Sequence, residues 1–210
     1  TGSHRYLAYI FYSEDTVSEV MESNSLLAIE EETDINTINI GEKKTTYDSI
    51  YEKQILEHDE NDLYKLIEFK YGDFDCYLIA IYDPKRVQAV PSSKSGQFKI
   101  LSDISKDNDA ILAIDGGGYY WSNSKPRGLI VHNGEVLSAE GYGSYLSAAF
   151  NEDGVLIIGN LSASDVKKKN IKEALSFLPA LIVNGKPAGI KGTGGSGMNP
   201  RTVIAQRQMV

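Results

Sequence analysis

Four tight-turn dipeptides constrain the fold of this chain more than any other feature. Gly72-Asp73, Asn133-Gly134, Asp153-Gly154 and Asn184-Gly185 each stand between two apolar or alternating runs. Such pairs mark two-residue turns, which join neighbouring antiparallel strands. Parallel strands would need long crossovers in the same places. The chain therefore reads as α+β, a mostly antiparallel sheet with several hairpins and few helices.

The first hairpin is LYKLIEFKY, which alternates, followed by the nearly solid FDCYLIAIYD. SDISKDND predicts a short helix leading into a buried strand, AILAI, at residues 110–114. SASDVKKKNIKEALSFL, residues 162–178, predicts the one clear helix of this region. Ser162 or Ser164 would cap it, and Val166, Ile171, Leu175 and Leu178 would form its apolar stripe. Upstream, SEDTVSEVME predicts a helix over 13–22, with capping-box spacing between Thr16 and Glu19. Residues 30–62 are acidic, Asn- and Thr-rich and weakly periodic, which reads as a linker or loosely attached arm. The division expected is an N-terminal helix and acidic arm over 1–62, then one domain over 63–210. Pro200-Arg201-Thr202 opens a further strand in which the chain stops. The domain is therefore expected to lack its C-terminal strands, with residues 201–208 paired to missing sequence or to another chain.

Composition narrows the function. The 210 residues are 41% hydrophobic, enough for a core, and no apolar run approaches the roughly 20 residues that span a membrane. The opening Thr1-Gly2-Ser3-His4 reads as an expression-tag remnant. A net charge of −8 argues against nucleic acid as a partner. That charge is uneven. Residues 1–160 hold 13 basic and 27 acidic side chains, whereas residues 161–210 hold 8 and 2. A basic C-terminal quarter on an acidic protein can gather an anion locally. The single cysteine, Cys76, lies in an apolar run and reads as a small buried residue rather than a catalytic thiol. No histidine or carboxylate pair has metal-ligand spacing, so neither metal nor cofactor is assigned. His132 leads a hairpin turn and reads as solvated, and His58 lies in the acidic arm.

The chemistry-bearing stretch runs from the AILAI segment through Asp115, Gly116, Gly117 and Gly118 to Tyr119, Tyr120 and Trp121. Taken alone, a strand ending in Asp-Gly-Gly is most simply a tight turn. Four motifs in order change that reading: IDGGGY, KPRGLIVHNGEV, SFLPALIVNGKP and NPRTVIAQR. Together they resemble the phosphodiester glycosidase family, and most of all its bacterial members, relatives of the animal N-acetylglucosamine-1-phosphodiester alpha-N-acetylglucosaminidase. The resemblance covers roughly residues 6–208. Two departures stand out. The family usually has Asn where this chain has Asp115, and its later Asp-Gly-Arg and Asp-Gly-Gly-Ser-Ser segments do not occur here. Arg127, in KPRG, stands where the family often has a small residue, and reads as a surface charge.

The resemblance implies a hydrolase that breaks the C1–O bond of a sugar-1-phosphodiester on cell-surface or exopolysaccharide glycans. Its partner is then a phosphorylated glycan, and its place is extracytoplasmic, through an N-terminal membrane anchor since removed. A non-catalytic carbohydrate-binding module and an inactive fragment are the alternatives. The phosphate leaving group is already stable as an anion, so the site must hold negative charge and steady an oxocarbenium-like sugar. Asp115 and Arg201 are the catalytic candidates. Arg201 suits the phosphate because a guanidinium fork matches its oxygens. Asp115 would orient a sugar hydroxyl, act as base or bind a metal. Gly116, Gly117, Gly118, Tyr119, Lys191 and Thr202 are the substrate-binding candidates: glycines admit backbone N–H groups to an anion, and Tyr119, Tyr120 and Trp121 offer faces to a sugar. Asp115, Gly117 and Arg201 are expected to converge on one cleft.

Overall fold

The computed structural model describes residues 2–38, 46–92, 98–120, 122–139, 143–192, 194 and 199–207. Its centre is a five-stranded antiparallel sheet in the order β4-β3-β7-β5-β6. The strands are β3 (Ile130–His132), β4 (Glu135–Ser138), β5 (Tyr145–Asn151), β6 (Leu156–Leu161) and β7 (Ile171–Ser176). A separate hairpin, β1 (Tyr64–Tyr71) with β2 (Phe74–Ile81), precedes it, and a short one, β8 (Ile182–Val183) with β9 (Lys186–Pro187), follows. All four expected turns are present. Tyr71 faces Phe74 across Gly72-Asp73, for example, and His132 faces Glu135 across Asn133-Gly134.

The core sits on one face of the large sheet. Leu129, Val131, Ala149, Ile157, Leu161, Ile171 and Ala174 pack there with Val166 from the short helix α5 (Ala163–Lys168). The helix expected over 162–178 is therefore a short helix followed by a strand of equal length. Its start is as expected: Ser162 N and Oγ both donate to the Asp165 carboxylate, at 2.9 and 2.5 Å. It stops at Lys169, and Asn170 turns left-handed at φ 51°. The following IKEALS then lies between β3 and β5, where two ladders of hydrogen bonds outweigh its helical spacing. Ile171 and Leu175 are thus strand residues rather than members of a helical stripe.

Two other expected strands are absent among the described residues. Residues 110–114 form no strand pairing, and Ile111 and Ile114 are exposed. Residues 201–207 form no strand either, and residue 208 lies outside the described set. The outer edge of β6 is already occupied. Thr33 N donates to Ile158 O at 3.0 Å, Ile158 N donates to Thr33 Oγ1 at 2.8 Å, and Asn160 Nδ2 donates to Ile29 O at 2.8 Å. Gln206 completes that edge with its side chain, Oε1 accepting from Leu156 N and Nε2 donating to Gly154 O. The 201–207 stretch thus touches the sheet through a side chain and not a ladder.

The N-terminal third holds α1 (Gly2–Phe11), α2 (Glu14–Ser23) and α3 (Ile50–Leu56). Ser13, not Thr16, caps α2: its Oγ accepts from Thr16 N at 3.2 Å, so the acidic Glu14 and Asp15 fall in the first turn. The acidic stretch after α2 is anchored at several points. Thr33 lies on β6, Glu32 pairs with Lys169, and the buried Glu52 pairs with Arg207 near the other end of the chain. Cys76 is half-buried and free. A last helix, α4 (Leu101–Asp107), stands where expected, just before the chemistry-bearing stretch.

The α5 cap is a pH-sensitive contact. The Ser162 side chain first, then its backbone N–H, holds the Asp165 carboxyl below the ordinary carboxylate range. A depressed folded-state value gives stability that is present above about pH 4 and is lost as pH falls through the folded value. Asp165→Asn is expected to cost about 1 kcal/mol at pH 7, a drop of about 2 to 4 °C in Tm. Thermal melts of both proteins down a pH series should show that gap narrowing below about pH 4.

Candidate active site

The triple glycine lies on the sheet face opposite the core. Strand geometry puts Glu173 and Leu175 on one face of β7 and Ala174 and Ser176 on the other. Ala174 belongs to the core. Gly116 crosses the Leu175 side, where a Cβ at Gly116 would lie 3.2 Å from Leu175 Cδ2. Gly117 is left-handed at φ 75°, and its neighbours are not. Asp115 heads the segment, exposed and without an ion pair among the described residues.

The chain then folds back on itself. Arg127 N donates to Gly118 O at 2.8 Å, Tyr120 N donates to Lys125 O at 2.9 Å, and Tyr119 bridges Pro126. This small loop carries two aromatic contacts. Phe98 meets Tyr119 edge-on, with centroids 4.8 Å apart, and the Arg127 guanidinium lies 5.0 Å over the Tyr120 ring. Trp121 lies outside the described residues. A cleft of about 460 Å³ opens beyond Phe98, between Val90–Ser92 and α4.

Gly128 brings the loop back into the sheet. Its φ of 73° turns Leu129 inward, where Leu129 N donates to Ser176 Oγ at 2.8 Å. Ser176 Oγ is in turn 2.8 Å from Ser147 Oγ, which donates to Tyr145 O. This buried hydroxyl chain fixes where the glycine loop leaves the sheet.

The other candidates stand apart. Lys191 is spliced to the segment after α2: its N donates to Ser25 O at 2.9 Å and its O accepts from Ser25 N at 3.1 Å. Arg201 and Thr202 are exposed, and one Arg201 hydrogen bond runs from Nη1 to the neighbouring Pro200 O at 3.5 Å. The described contacts therefore gather Gly116, Gly117, Gly118 and Tyr119 around Arg127 and Tyr120. They include none between that group and Lys191, Arg201 or Thr202.

One polar centre escapes a reading by motif. Glu173 is buried and accepts three hydrogen bonds, from Ala89 N at 2.8 Å, Asn133 N at 3.0 Å and His132 Nδ1 at 3.1 Å. His132 is thus a half-buried partner of a carboxylate, not a solvated turn residue. The signal was a lone acid in IKEALS, since a buried charge needs several donors. Its effect is to clasp residues 87–90 and the β3–β4 turn onto the same face as the glycine segment.

Residues 108–209 match the model of the phosphodiester glycosidase family. Over this segment, just under half of its length, the chain is similar to that family. The match begins just before the AILAI run, so it contains the whole large sheet and every candidate site residue from Asp115 to Thr202. No curated protein matches the chain. Among solved structures it is similar to the catalytic domain of zebrafish N-acetylglucosamine-1-phosphodiester alpha-N-acetylglucosaminidase, auto-inhibited by its pro-peptide. The identity is 15% and the TM-score 0.47, over 62% of this chain. The overlap spans 48% of the zebrafish chain, less than half of it. In this segment the exposed Asp115 leads into the three glycines, which adjoin the aromatic loop of Tyr119 and Tyr120.

Proposed function

We propose that the chain is a phosphodiester glycosidase that releases a sugar from a sugar-1-phosphodiester. The observation that carries this reading is the family match over residues 108–209. Water adds to C1 of the sugar, the C1–O bond breaks, and its electron pair leaves with the phosphate monoester. The attacking water gives its proton to solvent. A phosphate anion leaves readily, so catalysis falls on groups that hold the sugar and the phosphate. Asp115 suits the sugar: it is exposed, and the family's Asn at this place can orient a hydroxyl but cannot act as a base. Arg201 suits the phosphate by its fork of donors. Phosphorylated glycans of the cell surface or of an exopolysaccharide are the proposed substrates, with the protein acting outside the cytoplasm. Exposed Ile111, Ile114 and Val203 support completion of the sheet by a further segment or a second chain.

A second reading is a glycan-binding module without turnover. Release of N-acetylglucosamine from its 1-phosphate methyl diester separates the two. Release above the buffer rate supports the hydrolase, and binding without release supports the module. In the active protein, Arg201→Lys keeps the charge and loses the bidentate fork. Turnover is expected to fall roughly 10²-fold at nearly unchanged Tm. A large loss of Tm with normal turnover would assign Arg201 to the scaffold.

A further inference from the structure

We propose that Arg127 and the N–H groups of Gly116–Gly118 form a phosphate-binding site, an assignment that rests on the hydrolase reading only for its use in turnover. Two independent features point to it. The first is the cation. Arg127 is exposed and makes no ion pair among the described residues. Its guanidinium is nevertheless placed, 5.0 Å over the Tyr120 ring, with its backbone bonded to Gly118. A guanidinium held over a ring without an ion pair has N–H groups left for an anion, and part of its rotamer entropy is already lost before a ligand arrives.

The second feature is the backbone. The N–H groups of Gly116, Gly117 and Gly118 have no hydrogen-bond partner among the described residues. A left-handed residue beside residues of ordinary hand turns successive N–H groups towards one side, making a concavity for an anion. Arg127 borders that concavity, because a Cβ at Gly118 would lie 3.8 Å from Arg127 Cδ. A tetrahedral oxyanion has enough acceptor oxygens for both the N–H groups and the fork, whereas a single carboxylate has fewer. Asp115, at the head of the segment, opposes any anion there. The guanidinium is what offsets it, which gives the two charges opposite expected effects.

The test titrates the full chain with inorganic phosphate at fixed ionic strength and follows the amide resonances of Gly116–Gly118. Saturable shifts at these amides are expected. Arg127→Gln should weaken binding about tenfold or more and Arg127→Lys several-fold, while Asp115→Asn should tighten it. Acetate should bind about tenfold more weakly than phosphate. Tyr120→Leu keeps the charge but removes the ring, so a several-fold loss is expected there too, and it serves if Arg127→Gln does not fold. Equal affinity in wild type and Arg127→Gln, equal affinity for acetate, or unshifted glycine amides would overturn the site. The hydrolase reading fails separately. Arg127-dependent phosphate binding without sugar release removes the hydrolase and keeps the site. Sugar release together with equal phosphate affinity in wild type and Arg127→Gln keeps the hydrolase and removes the site.

Discussion

Asp115→Ala is expected to lower turnover of a sugar-1-phosphodiester by about 10²- to 10³-fold, while Asp115→Asn keeps most of it. The asymmetry follows from the role proposed. A hydrogen bond to a sugar hydroxyl that strengthens as the oxocarbenium ion forms needs an acceptor oxygen, and the carboxamide retains one. Alanine retains none. Asp115 is exposed and makes no ion pair among the described residues, so both variants should melt within about 2 °C of the wild type. Steady-state assays with the N-acetylglucosamine 1-phosphate methyl diester, beside thermal melts, give both readouts. Equal and severe losses in the two variants would mark Asp115 as a base or a metal ligand instead.

Gly128→Ala is expected to be strongly destabilising. The residue is left-handed at φ 73°, which costs a non-glycine about 1 to 2 kcal/mol. Its new Cβ would also lie 2.6 Å from Ser176 Cβ and 2.7 Å from Ser176 Oγ. Neither atom is the free end of a flexible chain, since Ser176 Oγ is held between Leu129 and Ser147. Overpacking at such a site typically adds about 1 to 3 kcal/mol. The sum, about 2 to 5 kcal/mol, should lower Tm by about 5 to 15 °C. Gly72→Ala is the control. Its φ is 58° and a Cβ there meets nothing within 4 Å, so only the conformational cost of about 1 to 2 kcal/mol remains. Similar melting temperatures for the two variants would show that the Ser176 contact relaxes freely.

The hairpins were legible because their information is local. Gly72-Asp73 and Asn133-Gly134 set the turn by residue type, and the flanking runs set the pairing. The capped start of α5 was legible for the same reason. Its end was not. Val166, Ile171 and Leu175 fit a helical stripe, and the deciding fact, that β7 is wedged between β3 and β5, involves residues 20 or more positions away. The AILAI run failed in the opposite sense. Its composition favours a buried strand, but a strand exists only with a partner, and none is present among the described residues. In the candidate site, Asp115 and the glycines are proposed from the sequence, whereas Arg127 is proposed from its place over the Tyr120 ring. The Glu173–His132 pair spans 41 residues and carries no motif at all.

The closure of the β6 edge bears on how the protein is made. Thr33 meets its partner Ile158 only across 125 residues of intervening chain. At ribosomal speeds of about 5 to 20 residues per second, the segment around Ile29 and Thr33 waits about 6 to 25 s before the strand it covers has been synthesised. Gln206, another 50 residues downstream of Leu156, arrives later still. Through that interval β6, once paired to β5, presents an open row of backbone donors and acceptors to other nascent chains. Yield during expression should therefore respond to slower growth temperature and to chaperones more strongly than the stability of the finished fold would suggest.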